Sequence, residues 1–365
     1  MVIFGSGETS PSGRKVLDRL LRTLPHSPSI CLLETPAGFE LNSDQVIRKV
    51  ADFINVRLQN YQPRVNIVPA RKRNSFFSPD DPNLASPLLE ADMIFMGPGS
   101  PTYAVRQLRN SVTWSYLVAR HRLGAALVLA SAAAIAISAY SLPVYEIYKV
   151  GDDLHWKPGL DFFGPYGLPL VLVPHWNNND GGKNLDTSRC FMGEQRFADL
   201  TSLLPPDQTI IGIDENTALI LDLREGQAHV IGQGGVTIAR TWNHYSDPAL
   251  KIEPGIGLKL LNTFTNGQAF PLSECCPLVF PKEHEGISQQ DWIKALKRFA
   301  SQKNSSQDHG PSQNGPPDEV LEISQKRQQA RIQRDWQTSD SLREKIEELG
   351  WYVRDTPNGP VIEKR

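Results

Sequence analysis

An α/β fold, with a mostly parallel sheet covered by helices, is what the first two-thirds of this 365-residue sequence predicts. Three observations carry it. Short β-branched or apolar runs alternate with amphipathic stretches at helical spacing, the pattern of a parallel sheet covered on both faces. The alternation persists to about residue 240 and then fades. The chain is also too long for one ordinary core, so two or three units are expected, with this fold filling the first.

Taken in order, strands are predicted at Val2–Phe4, Ser29–Glu34, Val65–Pro69, Met93–Met96, Ala126–Leu129, Pro169–Val173, Ile210–Ile213 and Ala218–Asp222. Helices fall between them at Arg14–Leu24, Ser43–Gln59, Thr102–Asn110, Thr113–Arg122 and Cys190–Leu204. After the turn signal Arg224-Glu225-Gly226-Gln227, the run Val230 to Ala239 has β character. These elements make up an α/β domain over residues 1–240. Residues 241–302 lose periodicity and gather prolines, which reads as a wrapping arm, followed by a short amphipathic helix carrying Trp292, Ile293, Leu296 and Phe299. Residues 303–317 are dominated by Ser, Asn, Gln, Gly and Pro, too polar to offset the entropy of ordering, and read as a flexible linker. Residues 318–365 regain order as a small helical module with a β-hairpin. One helix carries Leu321, Ile332 and Trp336, and a second carries Leu342, Ile346 and Leu349, with Gly350 as its left-handed cap. Trp351-Tyr352-Val353 and Val361-Ile362 flank the Asn358-Gly359 turn signal.

Composition narrows the function. With 38 basic and 40 acidic residues the net charge is -2, so there is no global field to draw nucleic acid or an anionic membrane. The longest apolar stretch, Leu123 to Ala139, falls short of a typical membrane span and is broken by Ser131 and Ser138. The start at Met1 lacks the basic lead-in and long apolar core of a signal peptide, so a cytoplasmic location without membrane contact is expected. The four cysteines, Cys31, Cys190, Cys275 and Cys276, have no paired CxxC spacing, which points to reduced thiols rather than a zinc site.

The chemistry centres on Gly124-Ala-Ala-Leu-Val-Leu-Ala-Ser131-Ala-Ala-Ala-Ile-Ala-Ile-Ser, a buried strand running abruptly into a small-residue helix. A sharp strand-to-helix turn lifts a hydroxyl above the sheet and aims the following amides at a substrate oxygen. The bland alternative is that Ser131 merely caps the helix. The segment resembles the Gly-x-Ser-Ala-Gly-Ala signature of the peptidase E and cyanophycinase family, serine peptidases on the class I glutamine amidotransferase-like fold. Phe95-Met96-Gly97-Pro98-Gly99-Ser100-Pro101 is similar to the family's glycine loop. Ile211-Gly-Ile-Asp-Glu-Asn-Thr-Ala-Leu-Ile-Leu-Asp matches its Gly-Ile-Asp-Glu-x-Thr-Ala strand pair, and Gly5-Ser6-Gly7-Glu8 fits its first-strand loop. Leu129 and Ala133 depart from the pattern, standing where the family keeps a small residue and a glycine.

The resemblance implies a serine hydrolase, a peptidase or amidase working through an acyl-enzyme on a small peptide or amide, with no metal or organic cofactor. Ser131 would be the nucleophile and His175, after the strand ending at Val173, the base; Gly99 and Ala132 would supply the oxyanion amides. Glu146, in the stretch after the nucleophile helix, is the expected acid, with Asp152 and Asp153 as competitors. Arg189 and Arg196 are expected as carboxylate anchors, although Asp199 stands where the family would place another arginine, so an aspartyl preference does not carry over. Asp214 and Glu215 are expected to line the pocket, to orient His175 or to serve the structure alone. The opposing hypothesis is a non-catalytic protein that uses the old cleft for a ligand.

The tail from Arg327 to Gly350, with Asp355-Thr-Pro-Asn-Gly, resembles the carboxy-terminal end of cysteinyl-tRNA synthetases. The chain lacks that enzyme's HIGH and KMSKS signatures, so aminoacylation is not expected. Arg327, Arg331 and Arg334 share a helical face that would suit phosphates, with RNA or a protein as the partner; a solvated face is the alternative. Oligomeric state is left open.

Overall fold

The computed structural model describes residues 1–244, 255–275, 279–282, 284–307, 319–320, 323–324, 326–327, 330, 335–356 and 359–364. The chain divides into two compact units, Met1–Ser301 and Gln302–Arg365.

In the first unit, β1 (Val2–Phe4), β2 (Ser29–Leu33), β3 (Arg64–Val68), β4 (Met93–Met96) and β5 (Ala126–Ala130) pair in parallel in the order β1-β5-β4-β2-β3. A two-residue pair, β6 (Tyr140–Ser141) with β7 (Lys157–Pro158), stands apart. β8 (Leu170–Val173) and β9 (Thr209–Ile213) run parallel to each other in a second sheet. β10 (Thr217–Asp222) and β11 (Gln227–Gly232) extend the large sheet antiparallel from β1. β12 (Gly235–His244) and β13 (Gly255–Thr265) complete the second sheet, and β14 (Ala269–Pro271) closes the edge of the first beside β11. The helices are α1 (Pro11–Leu21), α2 (Ser43–Arg57), α3 (Pro82–Ala85), α4 (Pro101–Leu108), α5 (Val112–Arg122), α6 (Ala132–Ala136), α7 (Ser188–Phe191), α8 (Gly193–Thr201) and α9 (Gln289–Gln307).

The parallel strands are apolar throughout because each face meets a different core, and successive side chains point to opposite faces. Val2, Phe4, Val128 and Ala130 pack with Val16 and Leu17 of α1 and with Ile47 and Ile54 of α2. Ile3, Leu127 and Leu129 pack on the other face with Tyr116 and Leu117 of α5. The helices are cut by local signals. Ser10, Ser100 and Ser111 accept a main-chain N–H at the starts of α1, α4 and α5, and Pro11 and Pro101 occupy first helical positions, where a missing N–H costs nothing.

Several expectations change on folding, and the single run predicted over 230–239 is split between β11 and β12. The predicted sheet is two sheets, with the strands before His175 and Asp214 in the smaller one. The arm predicted from residue 241 is strand over 255–265: Phe264 packs into the core while Leu258 and Leu260 stay exposed, because a bulge at Leu261 switches the faces and breaks the period-two pattern that would have marked the strand. The helix predicted from Cys190 begins only at Gly193, because Arg189, Cys190 and Phe191 all take left-handed backbone. The linker over 303–317 falls partly within α9 and otherwise outside the described residues.

In the second unit the helix Trp336–Glu348 starts at Asp335, whose carboxylate accepts the Thr338 N–H at 3.1 Å, and stops before Gly350 at φ 82°. β15 (Trp351–Thr356) and β16 (Gly359–Lys364) then pair as the expected hairpin. Val320, Ile346, Trp351 and Val353 form its small core. Leu321, Ile332, Arg331, Arg334 and Asn358 lie outside the described residues, and Arg327 is buried rather than displayed on a surface. Among the described residues no helix is long and apolar enough to cross a membrane.

Candidate active site

Ser131 follows β5 directly and precedes α6, with φ 51° and ψ −115°. A serine in this sparsely populated region costs roughly 1–3 kcal/mol and is held there by its surroundings. Its carbonyl accepts the N–H groups of Ala134 and Ile135, opening α6, while its side chain makes no capping hydrogen bond. The hydroxyl points instead to His175, with Oγ 2.9 Å from Nε2. Leu129 is wholly buried in the α5-side core together with Ala133 and Ala134 of α6.

His175 also has left-handed backbone, at φ 52°. Its N–H donates to the carbonyl of Gly5 at 3.2 Å, and its own carbonyl accepts the N–H of Cys190 at 3.1 Å, which ties the β1 loop, the histidine and the 189–191 turn together. Trp176, next in the chain, lies over Gly212, where a Cβ would sit 2.2 Å from the indole ring. Only glycine allows β9 and Trp176 to meet, which explains the glycine of the Gly-Ile-Asp-Glu turn.

The acid is where the structure departs furthest from expectation. His175 Nδ1–H donates to Glu215 Oε1 at 3.0 Å. Glu215 in turn accepts from Asn178 Nδ2 at 3.0 Å, and its N–H donates to Asn177 Oδ1 at 2.8 Å. Glu146, expected in this role, is engaged elsewhere: its Oε1 accepts from Thr102 Oγ1 at 2.6 Å and from Lys157 Nζ at 3.2 Å. Burial works against its charged form, but these donors outweigh it and hold the Glu146 carboxyl below its usual range. It lines a separate groove of about 1040 Å³, on the far side of Tyr145. Asp214, beside Glu215, accepts the Gly235 N–H at 2.8 Å and so fastens the start of β12; burial raises its pKa.

Gly99 and Ala132 flank Ser131 in a cavity of about 400 Å³ that also contains His175. Gly99 has φ 142°, and a Cβ there would lie 2.0 Å from the Pro36 carbonyl oxygen, so the loop closes this tightly only on glycine. Among the described residues neither the Gly99 nor the Ala132 amide has a hydrogen-bond partner.

Arg189 and Arg196, expected to hold a substrate carboxylate, hold the protein instead. Arg196 donates from Nε to the Met192 carbonyl at 2.7 Å and from a terminal nitrogen to the Phe191 carbonyl at 2.9 Å. Arg189 donates to the Trp176 carbonyl at 3.1 Å and to Glu194 at 3.0 Å, with its guanidinium 4.1 Å from the Trp176 ring centroid. Both secure the left-handed turn that carries Phe191. Phe191 lines the cavity, as does Cys190, whose thiol burial pushes up to about 12.

Sequence reasoning passed over two contributors. Asn178 is buried and its side chain reaches Glu215, although Asn177-Asn178-Asn179 has the composition of an ordinary loop. Glu8, in the loop after β1, has its pKa raised by burial, an effect opposed by its own backbone hydrogen bond and by nearby His175. Among the described residues no group of three or more His, Cys, Asp or Glu converges as a metal site.

No protein-family model matches the chain. Curated relatives match a short stretch of its C-terminal region. The cysteine–tRNA ligase of Methanosarcina mazei is 50% identical over 48 residues, 13% of this chain and 10% of that protein. The ligase of Rubrobacter xylanophilus is 45% identical over 49 residues, again 13% and 10%. The chain thus spans about a tenth of the length of the curated relatives it matches. Among solved structures, a peptidase from an acI-B1 Actinobacterium superposes with a TM-score of 0.54 at 20% identity, covering 74% of this chain and 95% of that one. At that identity the likeness is one of fold: a mixed α/β architecture with a large, mostly parallel sheet flanked by helices.

Proposed function

We propose that this chain is a serine-type hydrolase, a peptidase or amidase, with Ser131 as nucleophile, His175 as base and Glu215 as the acid that orients it. The observation that carries this reading is the unbroken hydrogen-bonded chain from Ser131 Oγ through the imidazole to Glu215, 2.9 and 3.0 Å, opening on a cavity. A serine hydroxyl is too weak a nucleophile unaided, and a base oriented by a third group is the arrangement that activates it. With Nδ1–H donating to Glu215, Nε2 is free to accept the serine proton. The Ser131 oxygen attacks the substrate carbonyl carbon as that proton passes to His175. The resulting oxyanion accepts hydrogen bonds from the Gly99 and Ala132 amides, which have no partner among the described residues. Collapse breaks the C–N bond and the leaving amine takes the proton from His175. Water, deprotonated by the same imidazole, then releases the acyl group from Ser131.

Labelling by an alkyl fluorophosphonate tests the reading. The intact protein is expected to gain one adduct, located on Ser131, and the Ser131→Ala variant none. Absence of labelling in the folded wild-type protein would overturn the proposal and leave a cleft that only binds.

A further inference from the structure

Resting on the hydrolase reading above, we infer that the residue bearing the scissile carbonyl has a large apolar side chain, with an aromatic ring as the best fit. The floor of the cavity beside Ser131 is made by Ile135, Val144 and Cys190, all buried and continuous with the core around β8. Ile135 lies one helical turn along α6 from Ser131, so this floor is within one side chain's reach of a carbonyl held at the nucleophile. The walls are aromatic. Tyr148 and Phe191 pack at 5.3 Å between ring centroids, and Phe191 stands 6.1 Å from the His175 ring, so the apolar wall begins at the imidazole itself.

Charge is confined to the mouth. Lys149 and Asp180, the cavity's charged lining residues, are both exposed and of opposite sign. The Lys149 ammonium lies 5.1 Å from the Tyr148 ring centroid, a solvated position. The two arginines that would suit a carboxylate donate to main-chain carbonyls and to Glu194. A carboxylate or ammonium driven to the floor would therefore shed its water with no buried partner in return, whereas a phenyl ring would release water from apolar walls. A volume of about 400 Å³ falls in the range of pockets that enclose small ligands, and such sites are usually apolar with a few fixed polar groups.

The test uses the full chain and three diphenyl aminoalkylphosphonates differing only in side chain: benzyl, carboxymethyl and 4-aminobutyl. Each reacts by forming a Ser131 Oγ–P bond and expelling phenoxide, which leaves as phenol with the serine proton relayed by His175. Adduct formation followed by intact mass is expected to be at least tenfold faster for benzyl than for either charged probe, a difference of about 1.4 kcal/mol. In Tyr148→Arg, which sets a cation on the half-buried wall, the preference for benzyl over carboxymethyl should shrink at least tenfold. A carboxymethyl or aminobutyl probe that matches or beats benzyl would overturn the inference. So would three inert phosphonates beside a fluorophosphonate that still labels Ser131, or an unchanged preference in a folded Tyr148→Arg. In these cases the hydrolase reading survives. If the fluorophosphonate also fails, the hydrolase reading falls and this inference falls with it.

Discussion

At Glu215 and Glu146 the two carboxylates offer a direct comparison, since one bonds His175 Nδ1 and the other bonds Thr102 and Lys157. An acid that holds the imidazole in its productive tautomer is worth several orders of magnitude in serine hydrolases, even when a neutral amide replaces it with the same shape. Glu215→Gln is therefore expected to lower the rate of fluorophosphonate labelling by about 100-fold or more, with Glu146→Gln within about threefold of wild type. The opposite ranking would return the acid to Glu146. The reason Glu146 attracted the sequence reading is positional: it stands soon after the nucleophile helix, whereas Glu215 lies 40 residues beyond the histidine it serves. The Gly-Ile-Asp-Glu turn was visible, but two adjacent acids on one turn point to opposite sides. Only the pairing of β9 with β12 decides that Asp214 fastens Gly235 while Glu215 faces the imidazole.

At the scale of the element, the segment Arg189–Phe191 shapes the site more than any regular helix. Its three non-glycine residues at φ 55°, 58° and 67° cost roughly 1–3 kcal/mol each and persist because neighbouring groups over-determine them. Main-chain bonds to Trp176, His175 and Thr187 supply part of that restraint, and Arg196 supplies two more through the carbonyls of Phe191 and Met192. Arg196→Gln should release the turn. The expected outcome is a fall in thermal stability of about 1–3 kcal/mol, the range for losing charge-assisted bonds to buried acceptors. Labelling of Ser131 should slow about tenfold, with partial recovery in Arg196→Lys. Unchanged labelling in a destabilised Arg196→Gln would mean that Phe191 does not guide the reaction. No glycine marks this turn, so an amphipathic pattern through residues 190–204 suggested helix from its first residue. Local propensity yields here to the contacts that surround the turn.

Over the whole molecule, stability should depend on pH through His121 at the end of α5. Burial holds its pKa down to about 4, with the positive N-terminus of Met1 and then Arg122 adding to the effect, and its Nδ1–H donates to the Ala125 carbonyl at 2.9 Å. Because the folded value lies below the unfolded one near 6.5, the unfolded state takes up protons first. The contribution is full above pH 6.5 and is lost as the pH falls towards 4. With discounting for partial exposure, about 1–3 kcal/mol is at stake. Denaturant melts at pH 7 and pH 4.5 are expected to differ by that amount in wild type and by clearly less in His121→Gln, and equal differences in the two proteins would exclude His121. The sequence by itself determined the order of the main strands and helices to about residue 240, though not α3, β6, β7 or the break between β11 and β12, together with the hairpin at the tail and the positions of Ser131, His175 and the glycine loop. These follow from periodicity and from turns that only certain residues tolerate, and such information is local. The tertiary structure alone decided that the strands form two sheets, that Glu215 rather than Glu146 meets the histidine, and that two arginines brace a backbone turn and leave an apolar floor beside the serine. Each of those outcomes depends on which groups distant in the chain compete for the same partner, and that competition is settled only when the faces of the elements pack together.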